Sequence, residues 1–286
     1  MEKLSFLVVT KLKVCFSLLI FVISNRSFSQ VEHLSSARIL SLGGCGVMLN
    51  DAGSTCVNPG ILAHQPKLSS ALNYQNNFFT KDLQNTSFSI AGKLKNGGVG
   101  IGVRTYGTSV FKQLEVSGMY GLRFDERFSL GIALGVNSIF IQNYGSKNNL
   151  NVSVGIYGKL NHSLVYACSF RNLENTNSFL MNHGSLPPKI IVGLQFVSSE
   201  KVSIYSEIEK TISYPIRIKV AVEYFTFKHV AFRFGIANAG YLVSYGIGYK
   251  PSSDFRIDLG ATWQPILGAS IHAGVVFELR ELIENE

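Results

Sequence analysis

The feature that most constrains this chain is a period-two alternation of apolar and small residues that recurs from Lys67 onward. Phe128, Leu130, Ile132, Leu134 and Val136 interleave with Ser129, Gly131, Ala133, Gly135 and Asn137; a β-strand is the element that turns alternate residues to opposite faces. The same split returns in Val99, Ile101, Val103 against Gly98, Gly100, Gly102, Arg104, and in Val230, Phe232, Phe234, Ile236 against Ala231, Arg233, Gly235, Ala237. Towards the end, Phe255, Ile257, Leu259 oppose Arg256, Asp258, Gly260, and Ile271, Ala273, Val275, Phe277 oppose Ser270, His272, Gly274, Glu278. No helical stretch interrupts the pattern.

About fourteen such runs start near Leu68, Thr86, Val99, Leu114, Phe128, Leu150, Ser163, Lys189, Val202, Ile216, Val230, Tyr241, Phe255 and Ala269. Tight turns at Asn96-Gly97, Asp125-Glu126, Asn161-His162, Ser199-Glu200, Phe227-Lys228 and Pro251-Ser252 alternate with longer links, Asn76 to Leu83, Asn143 to Asn149 and Leu173 to Pro188. Short turns on one rim and longer loops on the other, with an even strand count, are the layout of a membrane β-barrel.

Alternation alone leaves open which face points outward, since a soluble β protein buries its apolar side in the same pattern. Charged residues make up only 15% of the chain, well below the usual quarter, yet no long apolar helix follows the N-terminal region. Only helices and closed barrels satisfy their backbone hydrogen bonds in lipid. Strands of about ten residues suit a tilted membrane crossing, and a ring of about fourteen is too wide to be filled by its own side chains, which suffice at about eight. The polar face is mostly Gly, Ala and Ser with isolated charges at Arg104, Arg123, Glu207, Glu223, Arg233 and Asp258. Aromatics at run ends, Tyr106, Phe124, Phe128, Phe140, Tyr144 and Tyr249, suit interfacial girdles. The expected fold is all-β: a transmembrane antiparallel up-and-down barrel, residues 67–286.

At the N-terminus, Lys3, Lys11 and Lys13 precede an apolar run from Val14 to Ile23 and the tripeptide Ser27-Phe28-Ser29, the layout of a secretory signal peptide. The run is too short for a spanning helix, which needs roughly 20 residues, so residues 1–29 are read as a cleaved signal. Cys15 lies too early, after Lys13-Val14, to be a lipid-attachment site. Without residues 1–29 the formal charge falls from +8 to about +5. The remaining cations are scattered singly rather than gathered in the stripe that nucleic acid requires. Cys45 and Cys56 could pair in an oxidising compartment or rest as two small buried thiols; Cys168 would then stand apart.

The intervening segment, residues 30–66, alternates weakly and carries Ala37-Arg38-Ile39-Leu40-Ser41-Leu42-Gly43-Gly44-Cys45-Gly46-Val47, then Asn58-Pro59-Gly60-Ile61-Leu62-Ala63. An A-R-x-L-x-L-G-G-x-G-V stretch followed by N-P-x-x-L-A, between a signal peptide and the strands, resembles the N-terminal region of the FadL/PorV/PorQ group. Asn143 to Lys147, the Pro187 to Phe196 strand, Ala221 to Tyr224 and Phe232 to Ile236 extend the resemblance along nearly the whole mature chain. The chain departs from the pattern at Gly60, where Ala is usual, and in its shortness and compact outer loops. The resemblance implies a fourteen-stranded barrel in the outer membrane of a Gram-negative cell, with the N-terminal segment packed inside as a plug or hatch. It also implies two functions: FadL-type members move hydrophobic molecules across that membrane, whereas PorV-type and PorQ-type members are binding components of a type IX secretion machine. Outer-membrane lipid is the partner common to both.

Within the segment, Gly43, Gly44 and Gly46 permit close backbone approach or positive φ, while Pro59, after Asn58, fixes a turn. On the inward face, Arg123, Arg217, Lys219, Glu223, Arg233 and Asp258 allow two readings: a selectivity filter, or acids and bases that satisfy one another and the plug backbone, since buried charges are costly unless paired. Neighbouring strands of the later half carry both signs, including Glu207, Glu209 and Arg256. The longest connection offers Phe179, Leu180, Met181 and Leu186 as a greasy entrance, or as a loop folded over its own apolar residues. An enzyme is not indicated. Of the histidines after residue 29, His33, His64, His162, His183, His229 and His272, only His272 sits mid-strand on the small-residue face, with no nucleophile-elbow sequence beside it. No His/Cys pair has zinc-site spacing, and no cofactor is expected.

Overall fold

The computed structural model describes residues 36–65, 68–173, 186–212 and 214–279. Its strands are β1 (Leu68–Asn76), β2 (Gln84–Leu94), β3 (Gly97–Gly107), β4 (Phe111–Arg123), β5 (Phe128–Ile141), β6 (Gly145–Lys159) and β7 (Leu164–Arg171). They continue as β8 (Lys189–Ser199), β9 (Val202–Thr211), β10 (Arg217–Phe227), β11 (Val230–Ala237), β12 (Leu242–Ser252), β13 (Phe255–Gln264) and β14 (Gly268–Leu279). Each strand pairs with its neighbours in the chain, and β1 pairs antiparallel with β14, Leu68 opposite Leu279, so the sheet closes into a barrel. Closure leaves no open sheet edge.

The expected strand starts fall within three residues of the observed ones except at β6. There the anticipated link from Asn143 to Asn149 is instead a tight turn between Ile141 and Gly145, with Asn143 at φ 67° and Gly145 at φ 92°. Ser138 pairs with Asn148 and Ile139 with Lys147 in the continuing ladder. Polar residues sustain a ladder that the apolar/small split no longer marks, because this part of the hairpin reaches beyond the apolar belt. Tyr106 is a second correction. It shares its parity with Gly98, Gly100, Gly102 and Arg104 and therefore faces the lumen, 9% exposed, whereas Phe124, Phe140, Tyr144 and Tyr249 are exposed.

Along β10, Arg217, Lys219, Ala221 and Glu223 are buried while Val220, Val222 and Tyr224 are exposed. The same inversion holds around the ring, with Ile101, Leu134, Val192, Phe232, Leu259 and Phe277 all exposed on the outside. An apolar exterior around a charged interior is stable in lipid and not in water, so the ring is a transmembrane barrel. Among the described residues no helix is long and apolar enough to cross a membrane.

Residues 36–65 are buried almost throughout. A short helix, α1 (Ala37–Ser41), packs against β11 to β14 and β1, while the 3-10 turn Pro59–His64 packs against β2 to β6. Ile39, Leu42, Val47, Met48 and Ile61 share one apolar cluster with the inward side chains Tyr157, Val165, Ile191 and Tyr205. The small-residue face makes room for this approach. A Cβ on Gly155 would collide with Asn58 Oδ1, one on Gly131 with the Pro59 carbonyl, and one on Gly235 with the Gly43 nitrogen.

Candidate functional site

The described lumen is organised by a closed cycle of alternating charges that ties the N-terminal segment to the wall. Arg38, on α1, grips Glu223 of β10 with Nε to Oε1 at 3.1 Å and Nη2 to Oε2 at 2.6 Å, and reaches Asp51 Oδ2 with Nη1 at 3.0 Å. Asp51 Oδ2 also accepts from Arg256 Nη2 at 3.0 Å; Arg256 Nε meets Asp258 Oδ2 at 2.9 Å. Arg233 closes the cycle, donating to Asp258 Oδ1 and to Glu223 Oε1, each at 2.7 Å. Arg38, Arg233 and Arg256 thus alternate with Asp51, Glu223 and Asp258, with no net charge. Tyr205 adds its hydroxyl to Glu223 Oε2 at 2.8 Å. Burial alone would raise the Asp51 carboxyl, but Arg256 and Arg38 overcome it and hold Asp51 well below the usual carboxylate range.

A second cluster holds the glycine-rich stretch. The Gly46 and Val47 amides donate to Glu207 Oε2 at 2.8 and 3.0 Å. Lys219 Nζ, fully buried, donates to the Gly44 carbonyl at 3.1 Å, to Glu207 Oε1 at 2.9 Å and to Glu209 Oε2 at 2.7 Å. Lys189 Nζ lies 2.9 Å from Glu209 Oε1, with Arg217 3.8 Å from the same oxygen. Gly43 and Gly44 adopt φ of 63° and 87°, which turn the chain after α1 at no Cβ cost. Asn58 pins the following turn: its Oδ1 accepts from the Gly60 amide at 3.0 Å, and its Nδ2 donates to the Val47 carbonyl at 2.8 Å and to Ile156 of β6 at 2.9 Å. Pro59 occupies the first position of that turn, where its missing N–H has no consequence.

The inward charges read from the sequence therefore fall into two clusters, Glu223, Arg233 and Asp258 in the cycle and Arg217 and Lys219 around Glu209. Arg123 does not join them: it ends β4 at the tight-turn rim, half-buried and close enough to His64 to act on its charge. Burial first, then Lys159 and Arg123, push His64 down to about 4. Arg38 and Asp51 carry the segment's half of the charge cycle and were not singled out by sequence reasoning. The A-R pair of the motif was the available signal for Arg38. Of the entrance residues, Phe179, Leu180 and Met181 lie outside the described residues, while Leu186 is half-buried just before β8.

His272 faces inward and its Nε2 lies 3.0 Å from Ser41 Oγ. Ser41 donates its own proton to the Ala37 carbonyl at 2.8 Å, and His272 Nδ1 has no hydrogen-bond partner. The serine proton points away from the imidazole, and no third group orients the ring, so this is a packing hydrogen bond. Cys45, Cys56 and Cys168 carry thiols rather than disulfides. Among the described residues no group of three or more His, Cys, Asp or Glu side chains is placed to hold a metal ion.

No protein-family profile matches the chain, and no curated protein matches it in sequence. Solved structures do match in fold. The toluene transporter TodX of Pseudomonas putida superposes with a TM-score of 0.66 at 10% identity, covering 90% of this chain and 98% of that one. The CymD monoaromatic hydrocarbon channel gives 0.67 at 10% identity, covering 89% and 100%. A FadL homologue of Pseudomonas aeruginosa gives 0.64 at 10% identity, again covering 89% and 100%. At such identity the likeness is one of fold: the chain folds as a FadL-type barrel.

Proposed function

We propose that this chain is an outer-membrane barrel of a Gram-negative cell that carries small hydrophobic molecules, exported by residues 1–29 as a cleaved signal and plugged by residues 30–66. The observation that carries the proposal is the FadL-type fold over nine-tenths of the chain, shared with channels described as acting on toluene and monoaromatic hydrocarbons. The apolar cluster of Ile39, Leu42, Val47, Met48 and Ile61 against Tyr157, Val165, Ile191 and Tyr205 supports it, because a lumen bordered by aliphatic and aromatic side chains costs an apolar solute little to enter. Phe179, Leu180, Met181 and Leu186 are proposed as the entrance. The test is uptake of dilute labelled toluene by cells with and without the protein. Faster uptake with the protein, lost in the Phe179→Asp, Met181→Asp double variant, supports carriage; equal uptake in all three strains refutes it.

A second reading, a non-enzymatic binding component of a type IX secretion machine, draws on one feature. The rim connections opposite the tight turns expose Phe79, Val110, Tyr144 and Ile266, the last two at 88% and 84%, and exposed apolar groups at a rim suit a protein partner. Under that reading the same cells show no protein-dependent toluene uptake, and the barrel is recovered from mild detergent with protein partners in fixed ratio.

A further inference from the structure

On the mouth-side wall of the lumen, β4 to β7 bring together several buried polar atoms that lack hydrogen-bond partners. Gln113 Nε2 donates to Asn137 Oδ1 at 2.9 Å, which fixes the Asn137 amide and leaves its Nδ2 unpartnered. Asn151 Nδ2 donates to Glu115 Oε1 at 3.5 Å, leaving Asn151 Oδ1 unpartnered. These asparagines are only 2% and 7% exposed. They are diagonal neighbours across β5 and β6, since Gly135 pairs with Asn151 and Asn137 with Asn149. Arg171 ends β7 one step beyond the Val154–Phe170 pair, with its Nε unpartnered. Beside it Asn172 Nδ2 donates to the Pro187 carbonyl at 2.9 Å and its Oδ1 is unpartnered. Buried polar atoms are paired in the great majority of cases, and a local group of exceptions needs a reason.

The chemistry of the four atoms selects among occupants. Asn137 Nδ2 and Arg171 Nε are donors, while Asn151 Oδ1 and Asn172 Oδ1 are acceptors. A hydrocarbon satisfies none of them. A carboxylate accepts but cannot donate, so it would face two amide oxygens; an ammonium group would face two donors. A hydroxyl both donates and accepts, and two adjacent hydroxyls match the full set. Of the full charges at the site, Arg104 is paired with Glu115 while Arg171 keeps its own positive charge, towards which a hydroxyl turns its oxygen. A small cavity bounded by Ser87, Ser89, Arg104, Glu115 and Ser117 lies on the far flank of the Arg104–Glu115 pair. Farther along the same strands the inward side chains become Tyr157 on β6 and Val165 on β7, both in the apolar cluster. The wall therefore passes from hydrogen-bonding to apolar over one strand length.

Resting on the carriage reading above, we infer that the cargo is an amphiphile with an apolar body and a neutral hydroxylated end, and that Asn137, Asn151 and Arg171 recognise that end. The experiment uses the full mature barrel in detergent, incubated separately with decane-1,2-diol, decane and decanoate, with retained ligand quantified after gel filtration. Two net hydrogen bonds correspond to roughly tenfold in retention, so diol should exceed decane by about that factor. The Asn137→Leu, Asn151→Leu double variant should abolish the preference for diol, bringing the roughly tenfold diol-to-decane ratio down to about one, with folding verified by heat-modifiable mobility. Arg171→Met, at the strand end, supplies the same comparison if the double variant does not fold. Equal retention of diol and decane overturns the inference but leaves carriage standing. Preference for decanoate overturns it in favour of an anionic end, and a site that holds ordered water only, with none of the three probes retained, overturns the inference and leaves carriage to the toluene uptake test.

Discussion

Glu223→Gln isolates the contribution of the charge cycle to the seating of the N-terminal segment. Glu223 accepts from Arg38, Arg233 and Tyr205, and its neutralisation leaves the cycle with an uncompensated positive charge at nearly the same side-chain volume. Removing one partner of a buried pair costs about 3 to 5 kcal/mol. The lower end applies here, because Arg38 keeps Asp51 and Arg233 keeps Asp258. About 3 kcal/mol corresponds to a roughly hundredfold larger population of the unseated segment. Cys45, fully buried within the segment, reports that population through its rate of modification by a thiol reagent, in a background whose other cysteines are serine. The variant should therefore label roughly a hundred times faster than its parent. Adding Arg38→Met restores neutrality, and the double variant should label more slowly than the product of the single effects, since charges in direct contact are not additive. An unchanged labelling rate in Glu223→Gln would refute the idea that the cycle holds the segment in place.

Gly155→Ala places a methyl group against Asn58 Oδ1; overpacking of this kind costs about 1 to 3 kcal/mol, so it should also accelerate Cys45 labelling, while Ala substitution at Gly118, where a Cβ meets nothing, should not. Asn58→Ala removes the acceptor of the Gly60 amide and the donor to Val47 and Ile156, and should loosen the segment by about 1 to 3 kcal/mol, the usual cost of orphaned buried groups, measured by the same rate. His64, pushed down to about 4 from its ordinary 6.5, favours the seated state above pH 6.5 and loses that contribution progressively as pH falls towards 4. An NMR titration of the ring with a midpoint near 6.5 would show that His64 is not packed as described. Asp51 is held low, so its contribution is present above its ordinary 3.8 and lost only as pH falls below it; labelling should stay insensitive to Asp51→Asn only in strong acid.

The barrel was legible because pleating writes itself into the sequence as period two, and because lipid and lumen impose different residue types on the two faces. Along β10 and β11 that parity places Arg217, Lys219, Glu223 and Arg233 inside before any coordinates are known. The signal fails where the environments converge. Above the apolar belt the outer face of the β5–β6 hairpin meets water or headgroups instead of lipid tails, so polar residues occur on both faces and Asn148 and Asn149 look like loop residues although they pair in the ladder. Tyr106 shows the reverse error, since an aromatic at a strand end suggested a girdle while its parity with Arg104 already placed it inside. Arg38 and Asp51 were illegible for another reason: their partners Glu223 and Arg256 lie 185 and 205 residues away, and a short helix and a turn carry no periodicity that would reveal such pairing. Arg123 has inward parity but sits at the tight-turn rim, beyond the level at which the cycle closes.

The central claim, a FadL-type barrel that carries an apolar cargo, is tested most directly by purifying the protein from its native membrane in mild detergent and analysing both bound small molecules and co-purifying proteins by mass spectrometry. Carriage predicts an apolar or amphiphilic molecule retained with the barrel and enriched over the bulk lipid extract. A barrel that retains no such molecule, and instead recovers the same protein partners in fixed ratio, would contradict it.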